Sequence, residues 1–194
     1  MTTPPMPFHA ALQAALGDRR RRSLPRLPGL HRAAVLVPLT MAEEPELLFV
    51  VRPQSSRTHA GQVALPGGRV DGQDLDVTAA ALREAHEEVG MPPAEVQVLG
   101  ELDDLPTISS RYVITPVVGA VPRIEPQPRS GEIERAFYVP ARALFEEDRW
   151  ERRPWGVGPV RFPVSYFRYQ DELIWGATAA ILEQLVGVLE GLPG

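Results

Sequence analysis

Residues 83–90 run Arg83-Glu84-Ala85-His86-Glu87-Glu88-Val89-Gly90, and about fifteen positions upstream stands Leu65-Pro66-Gly67-Gly68. On a helix, Glu84, Glu87 and Glu88 fall at i, i+3 and i+4, so three carboxylates share one face. Like charges at this spacing cost an isolated helix about 0.2–0.5 kcal/mol per pair. Arg83 can offset Glu87 one turn on but cannot balance all three, and a bound divalent cation would resolve the conflict. The opposite face carries Ala81, Leu82, Ala85 and Val89, small or apolar groups suited to packing closely on a sheet and holding the carboxylates in place. Alone, an ExxEE run reads as a solvated surface. The glycines upstream change that reading, because they let the backbone approach a ligand and their carbonyls can join a metal's oxygen shell.

Working outward, the helix is expected from about Asp76 to Val89, stopped by Gly90 and Pro92. Before it, Ala33–Leu39 and Leu47–Val51 are short apolar runs rich in β-branched residues around a polar turn at Glu43–Glu46, and read as paired strands. Val63–Leu65 leads into the glycines. After it, Val96–Leu99, Ile114–Val121 and Glu132–Val139 read as strands, and Ala141–Phe145 begins a helical turn. The tail offers a hairpin, Val164–Tyr169 and Glu172–Ile174 around Gln170-Asp171, then a helix from Ala177 to Leu189. This mixture predicts an α/β layered domain. The first 30 residues read as an N-terminal helix and linker, with Phe8, Leu12 and Leu16 at helical spacing and Arg19–Arg22 as a solvated C-terminal cap. Residues 31–194 then form a single domain.

The chain has no cysteine, so thiolate metal sites, disulfides and thiol nucleophiles are excluded, and oxygen ligands favour a hard cation, Mg²⁺ or Mn²⁺. No stretch has the roughly 18 uninterrupted apolar residues of a membrane span, and the expected location is the cytoplasm. A net charge of −5, and no basic stripe interleaved with aromatics outside Arg19–Arg22, argue against a nucleic-acid partner. Every one of the 20 basic residues is Arg, the side chain that forks best onto phosphate.

The segment Gly68 to Met91 resembles the Nudix box, G-x5-E-x7-R-E-U-x-E-E-x-G-U with U aliphatic. The second half fits residue for residue with Ala85 accepted at U. In the first half the spacing from Gly68 to Arg83 is one residue longer, and the acidic position falls at Asp74 or Leu75. The resemblance implies a Nudix-type mixed β-sheet sandwiched between α-helices (α/β/α layers) and a phosphoanhydride hydrolase. It implies Glu84 and Glu88 as direct Mg²⁺ ligands, the Gly67 carbonyl as a further one, Glu87 as a ligand or positioning group, and Arg83 as the partner that orients a glutamate. The general base would come from the box helix, Glu84 or Glu87, or from a later acidic loop, where Glu132 and Glu134 are the candidates.

Upstream, Arg57 to Gly68 resembles the R-x3-G-x3-[FL]-P-G-G element that precedes the box in coenzyme A-cleaving Nudix hydrolases. The likeness continues through Ala33–Leu39, Leu105–Val118 and Ile174–Leu182. It implies a small-molecule substrate, coenzyme A or its acyl or oxidised forms, cut to 3′,5′-ADP and 4′-phosphopantetheine. Arg57 would meet substrate phosphate, with Gly61 and Arg69 in the substrate loop and Arg52 and Arg111 as further donors. Two alternatives stand beside it. One is an ADP-ribose or other nucleoside-diphosphate-linked hydrolase, for which Pro106, fifteen positions beyond Met91, is the sequence feature. The other is a catalytically silent nucleotide-sensing domain, which would normally have lost a box glutamate. The oligomeric state is left open, a homodimer included.

Overall fold

A computed structural model describes residues 7–26, 28–55, 60–107, 110–128, 131–156 and 161–192. At its centre, β1 (His31–Thr40) runs parallel to β7 (Tyr112–Val121) in unbroken register from His31↔Tyr112 to Thr40↔Val121. Both are long and nearly continuously apolar, as strands buried on two faces must be. Around them lie β2 (Glu46–Val51), β3 (Val63–Ala64), β4 (Gly67–Arg69), β5 (Gln97–Glu101), β6 (Leu105–Pro106) and β8 (Arg135–Pro140). All are antiparallel to their neighbours, so the described residues form an eight-stranded mixed sheet.

Alternation along the strands sets the layers. Leu36, Leu48, Val50 and Val117 join one buried cluster with Ala80, Ala81, Ala85 and Val89 of α2 (Val77–Val89). Their neighbours Val37, Leu47, Phe49, Val51 and Val118 join the other, with Leu12 and Leu16 of α1 (Pro7–Asp18) and Ile181, Leu182 and Leu185 of α3 (Ala177–Leu189). Each fully buried Leu, Val or Phe contributes about 1.5–3 kcal/mol, and a one-residue slip of register would move every one to the wrong side. The result is the expected α/β/α arrangement, with α2 on one face and α1 and α3 on the other. No helix of the described residues is long and apolar enough to cross a membrane.

A second, three-stranded antiparallel sheet, β9 (Trp150–Trp155), β10 (Phe162–Tyr169) and β11 (Glu172–Trp175), packs Phe167 and Ile174 into the α1/α3 cluster. The β10–β11 turn falls on Gln170 and Asp171, Gln170 in the left-handed region at φ 53°. β9 has no counterpart in the sequence reading. Trp-Glu-Arg-Arg-Pro-Trp shows no apolar alternation because this is an edge strand whose middle is exposed, a setting where Pro154 is tolerated.

Two expectations are corrected. α1 ends at Asp18, and although Arg20 and Arg22 are exposed, Arg19 and Arg21 are not a solvated cap on it. Two of the arginines meet carboxylates beyond the helix: Arg19 pairs with Asp103, and Arg21 pairs with Glu101 at 2.7 Å and Asp104 at 2.5 Å. Asp104, with no exposed side-chain surface, also accepts from Arg32, Thr115 and the Leu24 amide. Burial pushes its carboxyl up, but those donors and the two guanidinium groups hold it below the usual range. The second correction concerns Glu132–Val139. The strand begins only at Arg135, and Glu132–Glu134 form a turn in which Ile133 is buried while both glutamates stay exposed.

Candidate active site

The acidic helix is defined at both ends by its own residues. Asp76 caps the N-terminus, its carboxylate accepting from the Ala79 amide at 2.8 Å, and Gly90 closes the C-terminus in the left-handed region at φ 77°. Ala80, Ala81 and Ala85 are fully buried, so the helix settles closely on β1 and β4. The Gly67-Gly68 element is itself β4, paired with Val35 and Ala34. Both glycines are required there for separate reasons. A Cβ on Gly67, at φ 156°, would stand 2.5 Å from Val35 Cα, and a Cβ on Gly68 would stand 2.6 Å from the Glu84 carboxyl carbon.

The three glutamates share a helix face but occupy different environments. Glu88 is 3% exposed and accepts from the Gly67 amide at 3.0 Å. Burial raises its pKa to about 7; the Gly67 amide and the positive charge of Arg52 pull it down, and Glu84 and Glu132 push it up. Glu84 lies against Gly68 and is also shifted upward, first by burial, opposed by Arg83, with Glu87 and Glu132 adding to the rise. Glu87 is the exposed member. Among the described residues no three carboxylate or imidazole side chains close on a common point. Arg83 Nη1 bridges two of them, donating to Glu84 at 2.9 Å and to Glu87 at 3.1 Å.

Asp74, and not Leu75, takes the acidic position of the first half of the pattern. Its nearly buried carboxylate accepts from Arg83 Nε at 2.9 Å and Nη2 at 3.0 Å, and that bond holds it below the usual carboxylate range against its burial. The additional residue is absorbed just before the helix, where Leu75 swings out to 96% exposure. Arg83 Nη2 also donates to the Arg69 carbonyl at 3.2 Å, tying the helix to β4, while the Arg69 side chain is exposed.

Glu132 is brought within charge reach of both Glu84 and Glu88. No such coupling joins Glu134, whose amide donates to Val51 O at 2.9 Å. The Gly61 amide donates to Arg52 O at 3.1 Å and the Arg52 amide to Gln62 O at 3.0 Å, so a hairpin carries Arg52 and Gly61 out from β2 and β3. Arg57 lies outside the described residues. Arg111 is exposed in the left-handed region at φ 59°, its carbonyl accepting from His31. His86 is exposed, with Nδ1 3.2 Å from Met91 O. The proximity of Arg52 to Glu88 was not readable from spacing; the available signal is that it directly follows the buried strand Leu47–Val51.

A glycine strand set against a three-glutamate helix on an α/β/α frame defines the class: a hydrolase of phosphoanhydrides. The NUDIX domain family model matches residues 30–157. The chain is 43% identical over 159 residues to the Uncharacterized Nudix hydrolase NudL of Yersinia enterocolitica, covering 80% of each, and 40% identical over 156 residues to the protein of that name from Photorhabdus laumondii, covering 80% of this chain and 83% of that one. Among solved structures, the Nudix hydrolase RenU of M. smegmatis superposes with a TM-score of 0.57 at 21% identity over 88% of this chain and 92% of that one. The chain belongs to the Nudix family and is a pyrophosphohydrolase.

Proposed function

We propose that this enzyme hydrolyses the pyrophosphate bond of coenzyme A, with acyl or oxidised forms as further substrates, releasing 3′,5′-ADP and 4′-phosphopantetheine, and that it uses Mg²⁺ or Mn²⁺. The observation that carries the reading is the contact of Glu84 with Gly68 and of Glu88 with the Gly67 amide. These are the last two glycines of the Arg57–Gly68 element, so the sequence feature that points to coenzyme A abuts the acidic helix. The residues also fit the cation. Glu88 is a buried carboxylate whose charged form is disfavoured by its surroundings, Gly68 leaves room at Glu84 that any other residue would fill, and the donors are all hard oxygens.

Bound there, the cation supplies positive charge to the diphosphate oxygens and to the attacking water. Glu84, Glu88, Glu87 and the Gly67 carbonyl would hold it, the exposed Glu87 by turning inward. Arg83 fixes Glu84 from Asp74, so the helix face keeps its geometry as charge arrives. Glu132 stands on a turn facing the pair and accepts the proton of the water. Arg52 reaches the same place from the hairpin, and Arg57 and Arg69 are the further donors to substrate phosphate.

The test is one panel with Mg²⁺: coenzyme A, ADP-ribose, dinucleoside polyphosphates and NADH, with products resolved by mass. Selective release of 4′-phosphopantetheine is the expected result. Preference for ADP-ribose overturns the substrate assignment and leaves the hydrolase intact. Glu84→Gln is expected to abolish turnover on every member of the panel without unfolding the protein.

A further inference from the structure

Between β7 and β8 the chain reads Pro122-Arg123-Ile124-Glu125-Pro126-Gln127-Pro128. Ile124 and Pro126 are half-buried while Arg123, Glu125 and Gln127 are exposed, the alternation of a strand. Three prolines lack the amide that a ladder needs, and the segment joins no sheet. Among the described residues its backbone is held at two points. The hydroxyl of Tyr138, on β8, donates to Ile124 O at 3.0 Å and accepts from Ile124 N at 3.2 Å, so one side chain grips both backbone groups of one residue. Further on, Gln127 N donates to Val89 O at 3.2 Å, and Val89 is the last residue of α2, next to Glu88.

Tyr138 is itself fixed. The Arg123 guanidinium lies 4.5 Å from its ring centroid, and Glu46 holds that arginine at 2.7 Å. Burial raises the pKa of the hydroxyl against the Ile124 hydrogen bond and the charge of Arg123, so it keeps the proton it donates. Ile124 and Tyr138 pack against the cluster that α2 closes, in which Ile133 is buried. Ile133 adjoins Glu132, and on its other side Glu134 N donates to Val51 O at 2.9 Å. The Glu132 turn is therefore set by β2 on one side and by the cluster under Tyr138 on the other. A tyrosine hydroxyl clamped on a nearby backbone commonly serves stability alone. Here the clamped segment is also tied to the end of the helix that carries Glu84 and Glu88, and in sequence it leads to Glu132.

We propose that Tyr138 is a positioning residue: by fastening residues 123–128 between β8 and α2, it sets where Glu132 stands relative to Glu84 and Glu88. The inference rests on the reading of Glu132 as the group that accepts the proton of the water. Tyr138 acts through Glu132, so its loss misplaces the base and leaves binding of the diphosphate alone.

Tyr138→Phe removes the grip and keeps the ring under Arg123. It is assayed with Mg²⁺ on whichever diphosphate of the panel the wild type cleaves fastest, alone and combined with Glu132→Gln. Tyr138→Phe is expected to lower kcat roughly 10–100-fold, the cost of a group misplaced by up to about 1 Å, with KM within about twofold. In the Glu132→Gln background it should lower the residual kcat by less than about twofold, since no base is left to misplace. General loosening of the fold would instead cost both backgrounds the same factor. If Tyr138→Phe does not fold, Gln127→Pro, which deletes the amide donated to Val89 at an exposed residue, carries the same expectation. An equal fall in both backgrounds overturns the proposal. An inactive Glu132→Gln beside a fully active Tyr138→Phe overturns the positioning role alone. Near-wild-type kcat in Glu132→Gln overturns the base assignment, and the positioning role with it.

Discussion

Replacing Glu88 with Gln isolates the energetic cost of the site. Glu88 is 3% exposed, and its folded-state pKa of about 7 compares with an ordinary 4.5. Because the folded value is the higher one, the folded state holds the proton more tightly, and the stability this adds is complete below about pH 4.5 and lost as pH rises through 7. Between pH 5 and pH 8 the wild type should lose about 2.5 kcal/mol that Glu88→Gln, which does not titrate, does not lose. For a chain of this length that is a relative shift of roughly 5–10 °C in Tm. The Gln carbonyl can still accept the Gly67 amide, and any fixed cost of its buried NH₂ group moves the variant's curve vertically without changing its slope. The assay is urea unfolding of both proteins in EDTA at several pH values, repeated with Mg²⁺. The variant should gain on the wild type as pH rises, and Mg²⁺ should stabilise the wild type more than the variant. Parallel pH curves for the two proteins in EDTA would refute the reasoning.

Three further outcomes are expected. Gly68→Ala keeps a backbone angle that alanine tolerates but drives a Cβ into the Glu84 carboxyl, so kcat should fall about a hundredfold with the melting curve nearly unchanged; wild-type turnover in the variant would remove Glu84 from the mechanism. Glu132→Gln should lower kcat/KM about 10²–10⁴-fold, whereas near-wild-type kcat/KM in the variant would exclude Glu132 as the base. Asp104→Asn leaves Arg21 and Arg32 without their buried counter-charge and should destabilise by about 3–5 kcal/mol. Trypsin should then cut within Arg19–Arg22, and a variant as resistant as the wild type would mean the arginines are not what fastens α1. Because the Asp104 carboxyl is held below its usual value, the stabilisation it supplies is present above about pH 4 and disappears as pH falls.

Where the sequence was legible, one local force dominated. α2 is bounded by an Asp cap and a Gly stop and carries apolar residues at helical spacing, so its limits could be read to within a residue. β1, β2 and β7 are apolar because both faces of the sheet are covered. Where it was opaque, the deciding partner was distant in the chain. Four consecutive arginines after Leu16 look like a helix cap until Asp103 and Asp104, more than eighty positions on, engage Arg19 and Arg21. Gly67-Gly68 are poor strand formers, and only pairing with β1 makes them a strand. Glu132 and Glu134 alternate as strand residues would, with Ile133 buried between them, but pairing with β2 begins only at Arg135. The shared face of Glu84, Glu87 and Glu88 followed from helix geometry alone, whereas the choice of Asp74 over Leu75 required knowing which of them Arg83 reaches.

The two charged clusters of the molecule are built on opposite principles, and the contrast bears on how substrate binds. Asp104 is met by two arginines, a hydroxyl and an amide, the satisfied arrangement of a structural anchor. At the acidic helix, Glu84 feels the negative charge of Glu87 and Glu132, and Glu88 that of Glu84 and Glu132, with Arg83 and Arg52 in opposition. Two of those carboxyls are pushed upward in pKa, first by burial and further by neighbouring carboxylates. Such a surface repels a diphosphate, and no rearrangement of these side chains alone reverses its sign. Substrate affinity should therefore depend on the divalent cation as strongly as turnover does. A non-hydrolysable diphosphate analogue, titrated by calorimetry, should bind with Mg²⁺ present and lose most of its affinity in EDTA. Equal affinity in both conditions would mean that the phosphates are held by the hairpin arginines, away from the carboxylates, and that the glutamate face is not where the diphosphate lies.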